Sequence, residues 1–234
     1  MWSIGLTSSR LSFVSLAVPV VVRGVRPPDE DGGTVAGPWS MAGARGSLFE
    51  MEVLPDGFRH VEEFLDAGEE AALVERFRAL EFHEVRMRGV AARRRVIQYG
   101  WKYSFDSFRM AQGPDMPEYL ERVRDRAADL AGKAAMELSE ALVTEYSPGA
   151  AIGWHRDAPG FGLVVGISLL SSCRFRFRRG ATRAWETAEL LLRPRSLYVL
   201  TGAARSQWQH SIPAVSELRY SITFRTMTKA PAEK

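Results

Sequence analysis

The chain reads as an α+β protein whose β half closes into a sandwich or barrel, and three features predict this. Two stretches before residue 131 carry apolar residues at helical spacing, the chain beyond Glu140 switches to a period of two, and 234 residues suffice for one sizeable core. The first helix follows Asp66, which forms a capping box with Glu69, and Leu73, Phe77 and Leu80 then share one face. The second opens with Pro117 at its first helical position, where a missing N–H costs nothing. Its apolar stripe is Leu120, Val123, Ala127 and Leu130, and its charged face carries Arg122, Arg124, Asp125 and Arg126. Both helices are expected to pack against a sheet.

Past Glu140, β-branched and aromatic runs are broken at Ser147-Pro148-Gly149, Arg179-Gly180 and Arg193-Pro194, the punctuation of strands. Cys173, Phe175 and Phe177 alternate with Arg174, Arg176 and Arg178, so one face is buried and the other presents guanidinium groups. That array suits either an ordinary solvated face or a grip on phosphates.

The first fifty residues look different. The apolar run from Leu11 to Val22 is too short to cross a bilayer and is interrupted by Pro19. With only Arg10 charged in its leading segment, it is a poor export signal. Residues 23–47, rich in Pro and Gly, read as a linker or disordered tail. Residues 1–48 are therefore taken as an extension, 49–228 as the folded domain and 229–234 as a tail, with translation from Met41 or Met51 as an alternative start.

Hydrophobic residues at 46% and charged residues at 25% match a soluble globular protein. The single cysteine, Cys173, cannot form an intramolecular disulfide, and a reducing cytoplasm is the expected setting. A net charge of +3 and a pI near 9.2 favour approach to a polyanion without specifying one.

The chemistry concentrates in three places. His155 and Asp157 stand two apart at an expected strand end, so their side chains project from one face while Arg156 points away. Alone, the pair is as well explained by a hydrogen bond. His210, in a later segment rich in strand formers, adds a third ligand of the right type. Two histidines and a carboxylate fill one face of an octahedral ferrous ion and leave the opposite positions open. In Arg219-Tyr220-Ser221-Ile222-Thr223-Phe224-Arg225 the odd-numbered residues share a face, two guanidiniums flanking two hydroxyls, while Tyr220, Ile222 and Phe224 face the core. Buried guanidiniums need anions, and a small dicarboxylate or protein acids would serve.

Together these residues resemble the AlkB family of iron(II)/2-oxoglutarate dioxygenases, whose pattern is H-x-D, then H, then R-x-N-x-T-x-R. Thr144-Glu145-Tyr146-Ser147-Pro148-Gly149 is similar to that family's N-x-Y-x-P-G, and Leu197 to Gly202 resembles its strand before the second histidine. The resemblance spans roughly Met51 to Thr226 and implies a double-stranded β-helix, or jelly roll, with supporting helices on one face. It implies Fe(II) on His155, Asp157 and His210, with 2-oxoglutarate and dioxygen as cosubstrates. Arg219 would pair with the distal carboxylate of 2-oxoglutarate, assisted by Tyr146, and Arg225 would act near its metal-bound end. Thr144 and Ser221 replace asparagines of the pattern and offer shorter hydroxyl contacts to the cosubstrate.

The implied activity is oxidative demethylation of alkylated bases of DNA or RNA by a monomer working away from membranes. Gln98 to Tyr103 resembles the family's aromatic lid, so Trp101, Tyr103 and Arg95 are candidate substrate contacts. Pro159 stands where the bacterial base-repair enzyme has a second acidic residue, which points to a different base or substrate. Demethylation or hydroxylation of a protein or small molecule, and a catalytically silent binding module, are the alternatives.

Overall fold

The computed structural model describes residues 54–87, 90–104, 109–181 and 184–228. The expected N-terminal extension and C-terminal tail lie outside them. In chain order the elements are β1 (Phe58–Val61), α1 (Ala67–Arg78), β2 (His83–Met87), β3 (Val90–Ser104), β4 (Arg109–Gln112), α2 (Glu118–Ala131), β5 (Leu138–Tyr146), β6 (Ile152–His155), β7 (Phe161–Leu169), β8 (Cys173–Ala181), β9 (Ala184–Leu192), β10 (Leu197–Leu200), α3 (Gly202–Ser206), β11 (Gln209–Ile212) and β12 (Arg219–Met227).

The strands form two antiparallel sheets. The larger has the order β1-β10-β7-β12-β5-β3-β2, with β4 added beside β3, and the smaller the order β6-β11-β8-β9. Strands β5 to β12 enter the two sheets in the order of a jelly roll, as expected. Helices α1 and α2 lie together on one side. Leu73, Val74 and Phe77 of α1 and Leu120, Val123 and Ala127 of α2 are buried in one cluster with Ile167, Tyr220, Ile222 and Phe224 of the larger sheet. A second cluster, with Phe175, Phe177, Tyr198, Leu200 and Trp208, fills the space between the sheets. No helix among the described residues is long and apolar enough to cross a membrane.

The capping box at Asp66 is formed in both directions, with Glu69 N–H donating to Asp66 at 2.8 Å and Asp66 N–H to Glu69 at 3.0 Å. Pro117 caps α2 from outside rather than occupying its first helical position, because its ψ of 148° is extended. Arg124, expected on the charged face, is buried: its guanidinium folds onto Asp125 and Glu121, so its stem can be covered.

Strands also precede and separate the helices, contrary to the simple order of helices first. β3 is the longest, yet Arg93, Arg94, Arg95 and Lys102 break the alternation by which a strand is recognised. Gly100 bends it. Its φ of 70° places it in the left-handed region, and a Cβ there would strike the Ser139 carbonyl of β5. Up to Gly100 the strand pairs with β5; from Trp101 onward it pairs with β4.

Among the side chains that α1 and α2 bury, Phe77 is the largest that is fully enclosed. Phe77 is fully buried and meets the Tyr220 ring edge-on with centroids 5.7 Å apart. Phe77→Ala is expected to cost about 3–5 kcal/mol in urea unfolding, through lost burial plus a cavity; a loss below about 1 kcal/mol would show that α1 docks by other means.

Candidate metal centre

β6 ends on His155, and β11 runs antiparallel to it with His210 directly opposite. Opposed residues of an antiparallel pair share a face, so both imidazoles enter the space between the sheets, with ring centroids 4.2 Å apart. The chain leaves the strand after His155 and Asp157 turns into the same space. One donor atom from each of the three lies within 4.8 Å of the others. This is the set of two imidazoles and one carboxylate that suits a six-coordinate ferrous ion with positions left open. The Nδ1 of His155 donates to the Gly153 carbonyl at 2.9 Å, which fixes the tautomer and leaves Nε2 with a free lone pair.

The site's own field prepares the ligands. Burial, reinforced by neighbouring His155, pushes His210 down to about 3, and burial also lowers His155. Burial alone would raise Asp157, but Arg225, the two histidines and Arg205 outweigh it and hold the carboxylate well below its ordinary range. At neutral pH the set is two neutral imidazoles and one carboxylate, the protonation state a divalent cation requires.

Arg225 connects this centre to the sheet. Its Nη2 donates to Asp157 Oδ1 at 3.1 Å, and its Nη1 donates to both oxygens of Glu140 at 3.0 and 2.9 Å. Burial pushes Glu140 up to about 7 against the pull of Arg225. Because both of its oxygens accept from one guanidinium nitrogen, the pair is read as ionised. Arg205 works on the following loop, donating to the carbonyls of Ala158, Phe161 and Gly162 at 2.9, 2.6 and 2.8 Å. Asp157 is thus held by one arginine at its carboxylate and by another through the backbone beyond it.

Arg219 is in the opposite situation. It is 1% exposed, directly opposite Tyr146 in the sheet, with its guanidinium carbon 4.9 Å from the Tyr146 ring centroid. Nη2 donates to Ser168 Oγ at 3.1 Å, while Nε and Nη1 make no well-formed hydrogen bond, the Cys173 thiol and Tyr146 hydroxyl are polar neighbours, and no acid pairs with it among the described residues. A buried guanidinium in this state is strongly disfavoured unless an anion completes it. On the same face, Ser221 stands opposite Thr144 on one side and Ser168 on the other. All three hydroxyls are buried. The cradle offers a cation at its end and hydroxyls along its length, which suits a small carboxylic acid such as 2-oxoglutarate.

The structure therefore brings together His155, Asp157, His210, Tyr146, Thr144, Ser221, Arg219 and Arg225 on the inner faces of the sheets. Arg225, expected at the cosubstrate, has two of its nitrogens committed to Asp157 and Glu140 and keeps only Nε without a partner. Arg95 does not join them. It pairs with Glu145 at 2.6 Å and lies against Phe82, on the helix side of the larger sheet. Its neighbour Arg94 takes the inner face, opposite Tyr146 and within electrostatic reach of His155. Trp101 is half-buried beyond the Gly100 bend, and the Tyr103 side chain lies outside the described residues. Glu140 was missed in the sequence, and of the run Arg93 to Arg95, whose members could all meet phosphates, Arg95 was singled out where Arg94 takes the inner face. The alternation of β5 could have placed Glu140 on the face of Thr144 and Tyr146.

Residues 57–225, well over half of the chain, match the family model of the 2OG-Fe(II) oxygenase superfamily. An Arabidopsis thaliana protein named alkylated DNA repair protein ALKBH8 homolog is 25% identical over 71% of this chain and 54% of its own length. The Mus musculus tRNA (carboxymethyluridine(34)-5-O)-methyltransferase ALKBH8 is 26% identical over 69% of this chain but only 25% of itself, so this chain spans between a quarter and about half of these two relatives. Among solved structures, OsALKBH1 superposes with a TM-score of 0.60 at 16% identity, covering 74% of this chain and 98% of that one. A Pseudomonas putida prolyl-4-hydroxylase gives 0.52 at 15%, covering 73% and 92%. The structural likenesses establish the fold.

If Arg225 orients a metal ligand, Arg225→Gln should weaken Co(II) or Fe(II) binding about 10–100-fold in anaerobic calorimetry. His210→Ala should abolish it, with the circular dichroism of both variants unchanged. Unaltered affinity in Arg225→Gln would remove this arginine from the metal's support.

Proposed function

The chain belongs to the 2OG-Fe(II) oxygenase superfamily, and from that premise we propose that it oxidatively demethylates alkylated nucleic-acid bases. It is an AlkB-like 2-oxoglutarate-dependent dioxygenase that uses Fe(II), 2-oxoglutarate and dioxygen. When bound, these supply the oxidation of a substrate C–H bond, with 2-oxoglutarate leaving as succinate and carbon dioxide. The protein's part is to hold, orient and exclude water. His155, Asp157 and His210 would hold the iron. Arg219, with Tyr146 beside it, would take the far carboxylate of the cosubstrate through its two unengaged nitrogens. Thr144, Ser168 and Ser221 would line its path. Hydroxylation of an N-methyl group gives N–CH2OH, which releases formaldehyde and leaves an N–H on the base.

The observation that carries the substrate reading is Arg94. It is a partly buried cation on the inner face beside Tyr146, and it makes no ion pair among the described residues. A guanidinium at the side of an oxidising centre suits a nucleotide phosphate or the edge of a base. The names of the plant and mouse relatives refer to alkylated DNA and to tRNA, which agrees with that chemistry. The half-buried Trp101, on the strand that carries Arg94, adds a ring on which an extruded base could stack.

Two results are expected. Methylated single-stranded oligonucleotides should yield formaldehyde in step with succinate, and Arg94→Gln should lower kcat/KM on them about tenfold or more while leaving substrate-free succinate formation unchanged. Succinate without formaldehyde across a panel of methylated bases would remove the demethylase reading. Arg219→Leu should raise the KM for 2-oxoglutarate at least about tenfold with metal affinity intact, because the buried charge pairing to the cosubstrate is lost.

A further inference from the structure

The smaller sheet has a second face, turned away from the metal centre. Where His155, Phe175, Phe177 and His210 point inward, their strand neighbours Trp154, Arg174, Arg176 and Arg178 point outward, joined by Trp185 of β9. The guanidinium of Arg178 lies between two indoles, 4.6 Å from the ring centroid of Trp154 and 4.3 Å from that of Trp185. Arg176 lies 5.0 Å from the same Trp154 ring. The result is a ladder of alternating cation and aromatic rungs across three strands.

The charges on this ladder are not all spent. Arg174 is neutralised, donating through Nε and Nη2 to the two oxygens of Glu189 at 2.6 and 2.7 Å. Arg176 and Arg178 hydrogen-bond only to neutral acceptors, Ser211 Oγ at 3.2 Å and Gln209 Oε1 at 2.8 Å, in both cases from Nε, and Glu189, which stands opposite Arg176 and acts on it electrostatically, gives its two oxygens to Arg174. Neither forms an ion pair among the described residues. Their flat faces rest on indole and their Nε atoms are anchored, so the outer N–H edges remain for a ligand. Two residues apart on one strand, their backbones are about 6.6 Å apart, comparable to the step between successive phosphates of an extended strand.

We propose that this outer face is a second nucleic-acid contact, which grips the backbone of a single strand at a distance from the metal centre. Arg176 and Arg178 would take phosphates through charge-assisted N–H bonds, and the rims of Trp154 and Trp185 would meet bases irrespective of sequence. The interleaving favours a chain of phosphates and bases over an acidic polypeptide, which would leave the indoles unused. The inference rests on the nucleic-acid reading above, and it adds where a strand is held while its base is presented elsewhere.

The test uses a fluorescein-labelled, unmodified 20-mer of single-stranded DNA, and the same in RNA, with fluorescence anisotropy at several salt concentrations. Wild type should bind, and R176Q/R178Q should bind at least tenfold more weakly. Its slope of log affinity against log salt should be shallower by about 1.4, about 0.7 for each lost phosphate contact. Substrate-free succinate formation and circular dichroism of the variant should match wild type, which separates lost contact from lost fold. Trp185→Leu should weaken the strand severalfold and leave poly-glutamate binding unmoved.

Equal binding by wild type and R176Q/R178Q overturns the surface. Failure of wild type to bind the 20-mer at 50 mM salt overturns it too, even where a methylated nucleoside still releases formaldehyde and the substrate reading stands. Tighter binding of poly-glutamate than of the strand, insensitive to Trp185→Leu, assigns the face to an acidic protein instead. Binding that depends on Arg176 and Arg178, with no formaldehyde from any methylated strand, supports the surface and sinks the demethylase reading alone.

Discussion

Strand β12 lies between β5 and β7 for most of its length, and the site depends on its register. Tyr220, Ile222 and Phe224 are buried under the helices, so Arg219, Ser221, Thr223 and Arg225 must face the space between the sheets. A slip by one residue would drive the arginines into the helix layer and expose three large apolar side chains to the polar site. Burying those three contributes about 1.5–3 kcal/mol each, and every such increment also disfavours the wrong register. The apolar half of the strand therefore specifies where its polar half points. Gly166, on the neighbouring strand, leaves room for the Tyr198 ring, which would strike any Cβ there, so the inner face is filled on one side as well as aligned.

The two arginines of that strand are built for different work. Arg225 is matched by Glu140 and Asp157, so the desolvation of all three is offset within the protein, and its effect is to fix the direction of a metal ligand. Arg219 has no such match. With Arg94 and Arg205 counted beside Arg219 and Arg225, and Glu140 and Asp157 the acids set against them, the inner site is cationic before a divalent metal is added. A dication would add to that excess in a space of low polarity, and a ligand with two carboxylates would offset part of it. The excess of positive charge and the unengaged nitrogens of Arg219 both favour an anionic ligand.

Much of this was legible in the sequence because it follows parity. The arginine-to-arginine stretch of β12 keeps its relation whatever the rest of the chain does, since period two is a property of the strand itself, whereas Asp157 lies past the end of β6 and reaches His155 through the turn of the loop. The capping box at Asp66 was legible for the same reason, being contained in four residues. What escaped depends on which strand lies beside which. Glu140 and Arg225 are 85 residues apart and meet only because β5 pairs with β12. Arg94 and Arg95 are indistinguishable as letters in a run of three arginines. The pairing of Arg94 with Tyr146 turns one inward and sends the other to Glu145. The strands between the helices escaped because a long bent strand with three consecutive arginines does not show the clean alternation of a two-faced sheet.

The same parity gives β8 two faces with separable roles. Phe177 sits opposite His210, and the Phe175 ring lies 5.4 Å from that imidazole, so the inward half of β8 packs against a metal ligand. Its outward half carries the arginines that rest on Trp154 and Trp185. Substitutions there remove surface cations but no atom of the packed space between the sheets, where lost volume costs stability. Conversely, trimming Phe175 or Phe177 would disturb His210 while leaving the guanidinium ladder its own strand positions. A ligand on the outer face and chemistry on the inner one can therefore be varied independently, although both are written into nine consecutive residues.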